Sequence, residues 1–120
     1  MKRILIIEDQ ADIRELIRLT LELEAWEIHE AGDGPGGFRM ARELRPDLVL
    51  LDVMMPGGLD GFQVCECLRA DPATKRTKIV MLTARTQPED LQRGLRAGAD
   101  AYLSKPFSPR NLIDTVNRLL

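Results

Sequence analysis

Cysteine is too sparse in this chain, and too badly spaced, to build a disulfide or thiolate framework. Cys65 and Cys67 stand two apart in a stretch of helical pattern, so their side chains leave on different faces. That spacing argues against a bridge or a shared metal and for reduced structural cysteines in a reducing compartment. Histidine is equally scarce. His29 stands alone on a segment that reads as an outer strand, where it is expected at the surface. No apolar run approaches the ~18 residues a membrane span requires, so membrane insertion is not expected. Met1-Lys2-Arg3 leads directly into a strand-like segment without the apolar core of a signal peptide, and the expected address is cytoplasmic. Charge of one sign is also missing. The 17 basic and 19 acidic residues leave −2, which supplies no basic footprint for direct nucleic-acid binding. Linkers, repeats and low-complexity segments are absent too.

What is present is enough for one domain. A chain of 120 residues, 44% hydrophobic and 30% charged, can bury a sizeable core, and residues 1–120 read as a single globular unit. Strand and helix patterns alternate five times, which predicts an α/β fold with a parallel sheet covered on both faces. Residues 4–7, 48–51 and 79–82 are continuous apolar runs, as expected of buried strands, and 101–104 is a short last strand. Residues 10–25 give the clearest helix. Ile13, Leu16, Ile17, Thr20 and Leu21 form its buried face, while Arg14, Glu15, Arg18 and Glu22 face away. Trp26 and Ile28 share one side of an outer strand over 26–31. Asp33-Gly34-Pro35 starts the second helix, residues 62–70 form a short third, and 88–97 form a fourth with Gly94 inside it. That glycine costs about 1 kcal/mol relative to alanine and should make this the least rigid helix. Ser108 caps the last helix, with Pro109 at its first position and Leu112, Ile113, Val116 and Leu119 inward.

Polar groups terminate four of the strands: Glu8 and Asp9, Asp52, Thr83 and Lys105. Ligands of open parallel sheets bind outside the carboxyl ends of the strands, so these groups should converge there. Three carboxylates in one place call for a divalent cation, and Mg²⁺ takes oxygen ligands. Asp52 is the candidate phosphoryl acceptor, since a carboxylate can attack phosphorus once the incoming charge is neutralised. Asp9 would bind the metal directly and Glu8 directly or through water, with the backbone carbonyl of Met54 as a further ligand. Lys105 would pair with one phosphate oxygen and Thr83 would hydrogen-bond another, while the small Ala84 leaves room for a donor.

The segments ILIIEDQADIRELI, DLVLLDVMMPGGLDGFQV, KIVMLTAR and GADAYLSKPFSP, in this order, resemble those of response-regulator receiver domains, the CheY-like family, over essentially the whole chain. The resemblance implies a doubly wound, flavodoxin-like, five-stranded parallel sheet of order 2-1-3-4-5 flanked by five helices. It also implies that Asp52 is phosphorylated by a histidine kinase or a histidine phosphotransfer protein with Mg²⁺. Glu8 and Asp9 then match the acidic pair, and Met54 the position whose carbonyl binds the metal. Thr83 matches the switch hydroxyl, Tyr102 the switch aromatic, and Lys105 the phosphate-pairing lysine, with a cis bond to Pro106. In such domains phosphorylation draws the hydroxyl to the phosphate and lets the aromatic turn inward. The face of the fourth helix, fifth strand and fifth helix then changes partners.

The implied protein is an acceptor that signals to an output protein, not an enzyme turning over an external substrate, although it can lose its own phosphoryl group. A stand-alone regulator is expected; the alternatives are the receiver portion of a longer multidomain regulator and an interaction module that needs no phosphorylation. Several positions depart from the family pattern. Glu8 replaces the more usual aspartate, and the loop 56–61 is one residue longer than Pro-Gly-x-Asp-Gly. Ala101 and Thr115 stand where the winged-helix branch tends to carry an acidic and a basic residue, so a monomer or weak dimer is expected. Met54 and Arg85 flank the site and are expected to tune the phosphoryl lifetime. A haloacid-dehalogenase-type phosphatase would carry a second aspartate at Met54, and a nucleotide fold would need a Gly-rich turn where Glu8-Asp9-Gln10 stands.

Overall fold

The computed structural model describes residues 1–56, 58–84 and 87–120. Five strands and five helices alternate along the chain. They are β1 (Arg3–Ile7), α1 (Ala11–Leu21), β2 (Glu27–Ala31), α2 (Gly34–Leu44), β3 (Leu48–Asp52), α3 (Gly61–Ala70), β4 (Lys78–Thr83), α4 (Pro88–Ala97), β5 (Ala101–Ser104) and α5 (Pro109–Leu119). All strand pairs are parallel, in the order β2-β1-β3-β4-β5 that the family resemblance implied.

Side chains of a strand alternate between the two faces of its sheet, so each fully apolar strand feeds two cores at once. Leu5, Ile7, Val49, Leu51, Ile79 and Met81 point into one core, closed by residues such as Val64, Leu68 and Ala97 of α3 and α4. Ile4, Ile6, Leu48, Leu50, Val80 and Leu82 point into the other, closed by Ile17 and Leu21 of α1 and by Leu112 and Val116 of α5. Burying a single leucine in this way is worth about 1.5–3 kcal/mol, so each residue of the three central strands that enters a core is a sizeable contribution to the fold.

The helix starts follow their local chemistry. The Asp33 carboxylate accepts from Gly36 N at 2.6 Å and the Ser108 hydroxyl from Asn111 N at 3.0 Å. Asp60 and Gln63 cap each other reciprocally at the start of α3, both bonds measuring 2.9 Å. Gly61 begins that helix where nothing larger fits. A Cβ there would run into the Asp52 carbonyl and stand 2.6 Å from Val53 Cα, so glycine lets α3 start directly beneath the end of β3.

Four expectations need correction. The first helix stops at Leu21, not at residue 25, because the chain beyond it has no face to bury: Leu23 is 78% exposed. Leu16, assigned to the buried face of that helix, is 55% exposed, since the inward direction runs through Ile17, Thr20 and Leu21. Arg14 and Arg18, assigned to the outer face, instead lean over β2 and share Glu30 between them. On α5 the buried residues are Leu112, Thr115 and Val116, with Ile113 and Leu119 only half-buried.

Candidate phosphoryl-acceptor site

Because every strand is parallel, all five carboxyl ends open on the same edge of the sheet. The order 2-1-3-4-5 places β1 against β3, with Ile7 opposite Leu51, so the next residues, Glu8 and Asp52, emerge side by side. β4 lies on the far side of β3 with Leu82 opposite Asp52, which sets Thr83 at the same edge, and Ser104 of β5 pairs with Thr83 just before Lys105.

Glu8, Asp9 and Asp52 each offer a carboxylate oxygen within 4.8 Å of the others. Glu8 is fully buried, Asp52 nearly so, and Asp9 half-exposed. Lys105 reaches between the two buried carboxylates, its Nζ donating to Glu8 Oε1 at 2.6 Å and to Asp52 Oδ1 at 3.2 Å. The Met54 amide lies 3.4 Å from the same Asp52 oxygen. Thr83 is buried at the end of β4, and its carbonyl accepts from the Lys105 amide at 2.8 Å. The Lys105–Pro106 bond is cis, as the resemblance implied.

One ammonium does not balance three carboxylates. Burial pushes the Asp52 carboxyl up to about 7, helped by the hydrogen bond and charge of neighbouring Glu8, while Lys105 pulls the other way. Lys105 loses some basicity to burial, but its bonds and charge contacts with Glu8 and Asp52 outweigh that and leave its pKa raised. The cluster therefore carries more negative charge than its lysine neutralises, through hard oxygen donors only. Such a donor set fits Mg²⁺ and does not suit a thiophilic metal.

Tyr102 is half-buried on β5, on the core side that faces α4. A Cβ on Gly94 would stand 2.8 Å from Tyr102 Cε2 and 3.4 Å from Met81 Sδ, so the helix-weakening glycine is what lets the ring pack this close to α4. Met54 is 56% exposed beside the site, whereas Arg85 and Gly57, in the loop read as one residue longer, fall outside the described residues. Reading the sequence missed the part played by Arg14, whose Nη1 donates to the Glu8 carbonyl at 2.7 Å. The helical pattern puts Arg14 on the outer face, and only the nearness of Glu30 on β2 reveals its inward turn. Cys65 packs as a core residue, its thiol donating to the Ala97 carbonyl at 3.3 Å and pushed up to about 11 by burial. No helix among the described residues is long and apolar enough to cross a membrane.

Known proteins are similar to this chain over nearly its whole length. The DNA-binding response regulator MtrA of Mycobacterium tuberculosis is 44% identical over 119 residues, covering 99% of this chain and 50% of MtrA. The phosphate regulon transcriptional regulatory protein PhoB of Klebsiella pneumoniae is 42% identical, covering 99% of this chain and 52% of its own. The chain thus spans about half the length of the curated relatives it matches. The solved structure of the chemotaxis protein CheY4 of Vibrio cholerae superposes with a TM-score of 0.94 at 36% identity, covering 100% of this chain and 99% of that one. The family description "Response regulator receiver domain" matches residues 4–117, and on these grounds the chain belongs to the response-regulator receiver family.

Proposed function

We propose that residues 1–120 form one receiver domain in which Asp52 accepts a phosphoryl group from the phosphohistidine of a histidine kinase or histidine phosphotransfer protein. The observation that carries this reading is the convergence of Glu8, Asp9 and Asp52 oxygens within 4.8 Å, with Lys105 at 2.6 Å from Glu8 and 3.2 Å from Asp52. An Asp52 carboxylate oxygen forms the new O–P bond as the donor's N–P bond breaks, and the imidazole nitrogen keeps the electron pair. Glu8, Asp9, Asp52 and the Met54 carbonyl would hold Mg²⁺, which supplies positive charge to the phosphoryl oxygens when bound.

Lys105 is the protein's own cation at the reacting carboxylate. As the phosphoryl group arrives, its ammonium neutralises one phosphoryl oxygen, and the Thr83 hydroxyl donates to another. Tyr102, seated under α4 beside Gly94, is the side chain through which that change reaches the α4–β5–α5 face. An output protein or attached domain reads that face. The chemistry is one modification of the protein itself, reversible by hydrolysis, in the cytoplasm.

Access for the donor is supported by an apolar groove of about 370 Å³ beside the site, lined by Ile13, Leu16, Ala84, Lys105, Pro106 and Phe107. Lys105 belongs to both groove and acidic pocket, so a phosphodonor domain seated on the groove has its histidine close to Asp52. The test is incubation with acetyl phosphate or phosphoramidate and Mg²⁺, followed by the mass of the intact protein. One added phosphoryl group is expected on the wild-type protein and none on Asp52→Ala. An unmodified wild-type protein that binds Mg²⁺ would favour an interaction module that works without phosphorylation.

A further inference from the structure

The Glu8–Asp9 peptide carries two of the three carboxylates, yet it lies just past the end of the sheet. The β1–β2 register closes with Ile7 opposite Ala31, and the Glu8 amide donates back to the Ala31 carbonyl at 3.1 Å. The Glu8 carbonyl is bound by a side chain. Arg14 Nη1 donates to it at 2.7 Å, while Arg14 Nε sits 3.3 Å from Glu30 Oε1 on β2. The second oxygen of Glu30 is held by Arg18 Nε at 3.2 Å. Glu30 is therefore fixed through both oxygens, and it aims the Arg14 fork at a single backbone carbonyl. The Arg14 side chain is only 23% exposed, so this fork sits between helix and sheet and not in open solvent.

We propose that Arg14 is a positioning residue for the divalent cation. Held by Glu30, its guanidinium fixes the plane of the Glu8–Asp9 peptide so that both carboxylates face Asp52. The inference rests on the reading of the acidic cluster as an Mg²⁺ site. Its physical basis is that three carboxylates repel one another, and the peptide joint between two of them lies beyond the last β1–β2 pair. A planar guanidinium with two fixed partners resists rotation of that joint better than water or a lysine would, because its donors are preset in geometry. Groups that orient metal ligands from behind commonly change metal affinity by about 10- to 100-fold when removed.

The test is calorimetric titration with Mg²⁺ of wild type, Arg14→Ala, Arg14→Lys and Glu30→Gln, each also melted in chelator to show that it is folded at the titration temperature. Arg14→Ala is expected to weaken Mg²⁺ binding about tenfold. Arg14→Lys should recover part of this, since an ammonium can bond the carbonyl but lacks the planar fork whose separate nitrogens are preset toward the carbonyl and Glu30. Glu30→Gln, which touches no carboxylate of the cluster, should weaken binding by less than Arg14→Ala while melting as a folded protein. A purely structural role for Arg14 would lower the melting temperature and leave Mg²⁺ affinity unchanged. Wild-type affinity in a folded Arg14→Ala overturns the proposal alone, and wild-type affinity in Glu30→Gln overturns it if Arg14→Ala does not fold. A wild-type protein that binds no Mg²⁺ overturns the metal-site reading and this inference with it.

Discussion

Replacing Asp52 by asparagine should stabilise the metal-free protein at pH 8, although it removes the residue on which the function depends. In the folded protein the Asp52 carboxyl is held up to about 7, by burial first and by Glu8 second. In the unfolded chain an aspartate titrates near ~3.9. The folded state thus binds this proton more tightly, so the site is least costly below about pH 4. Stability falls as pH rises between those two values, and the cost of the ionised carboxylate is complete above about pH 7. At 1.36 kcal/mol per pH unit that cost is about 4 kcal/mol at most. Asp9 is half-exposed at the same mouth, so water and mobile ions reach the cluster, and screening reduces the figure to about 1–2 kcal/mol. Asparagine cannot ionise, and Lys105 keeps its 2.6 Å bond to Glu8. For a domain of this size the gain should raise the melting temperature by roughly 3–10 °C. Thermal melts followed by circular dichroism in chelator, from pH 4 to pH 8.5, give the comparison. The gap between variant and wild type should be widest at pH 8 and close toward pH 4. Added Mg²⁺ should raise the wild-type melt more than the variant's. A variant that melts with or below wild type at pH 8 in chelator would refute the electrostatic reasoning.

Other substitutions probe the frame around the site. Gly61→Ala pushes a methyl group onto the backbone of Asp52 and Val53, which cannot yield, and should cost about 1–3 kcal/mol in urea denaturation. An unchanged midpoint would show that α3 is not pressed against the end of β3. Gly94→Ala adds helix propensity worth about 1 kcal/mol but drives a Cβ to 2.8 Å from Tyr102 Cε2. The Tyr102 ring resonances should shift in NMR spectra with little gain in stability; unshifted resonances with a full gain would contradict the packing. Lys105→Ala should stay folded yet fail to switch partners after treatment with acetyl phosphate. Normal switching by that variant would remove the role assigned to Lys105.

Much of the frame was legible because its signals are local. The buried apolar runs of β1, β3 and β4 are each followed at once by the polar residue that enters the pocket, so Asp52 and Thr83 could be found without coordinates. Ser108 and Asp33 likewise announce helix starts through bonds spanning three residues. What escaped depends on distant partners. Helical periodicity does not reveal that Leu16 and Leu23 lack a surface to cover, which is why the first helix was drawn too long. Arg14 and Arg18 carry charges that normally face water, and only Glu30, brought alongside by the pairing of β1 with β2, turns them inward. Gly61 and Gly94 look like weaknesses in a one-dimensional pattern. Each proves to be a close approach, to the Asp52 backbone and to the Tyr102 ring respectively. The strand order itself came from family resemblance, since alternation of strand and helix does not specify which strand lies beside β1.

The central claim is that Asp52, and no other residue, carries the phosphoryl group. The most direct measurement treats the protein with acetyl phosphate and Mg²⁺, reduces the acyl phosphate with borohydride, and locates the change by peptide mass spectrometry. Reduction should convert the aspartate at position 52 to homoserine, in a peptide that is unmodified when Mg²⁺ is withheld. A borohydride-resistant adduct, or one that maps to Glu8, Asp9 or a hydroxyl residue such as Thr83, would contradict the account.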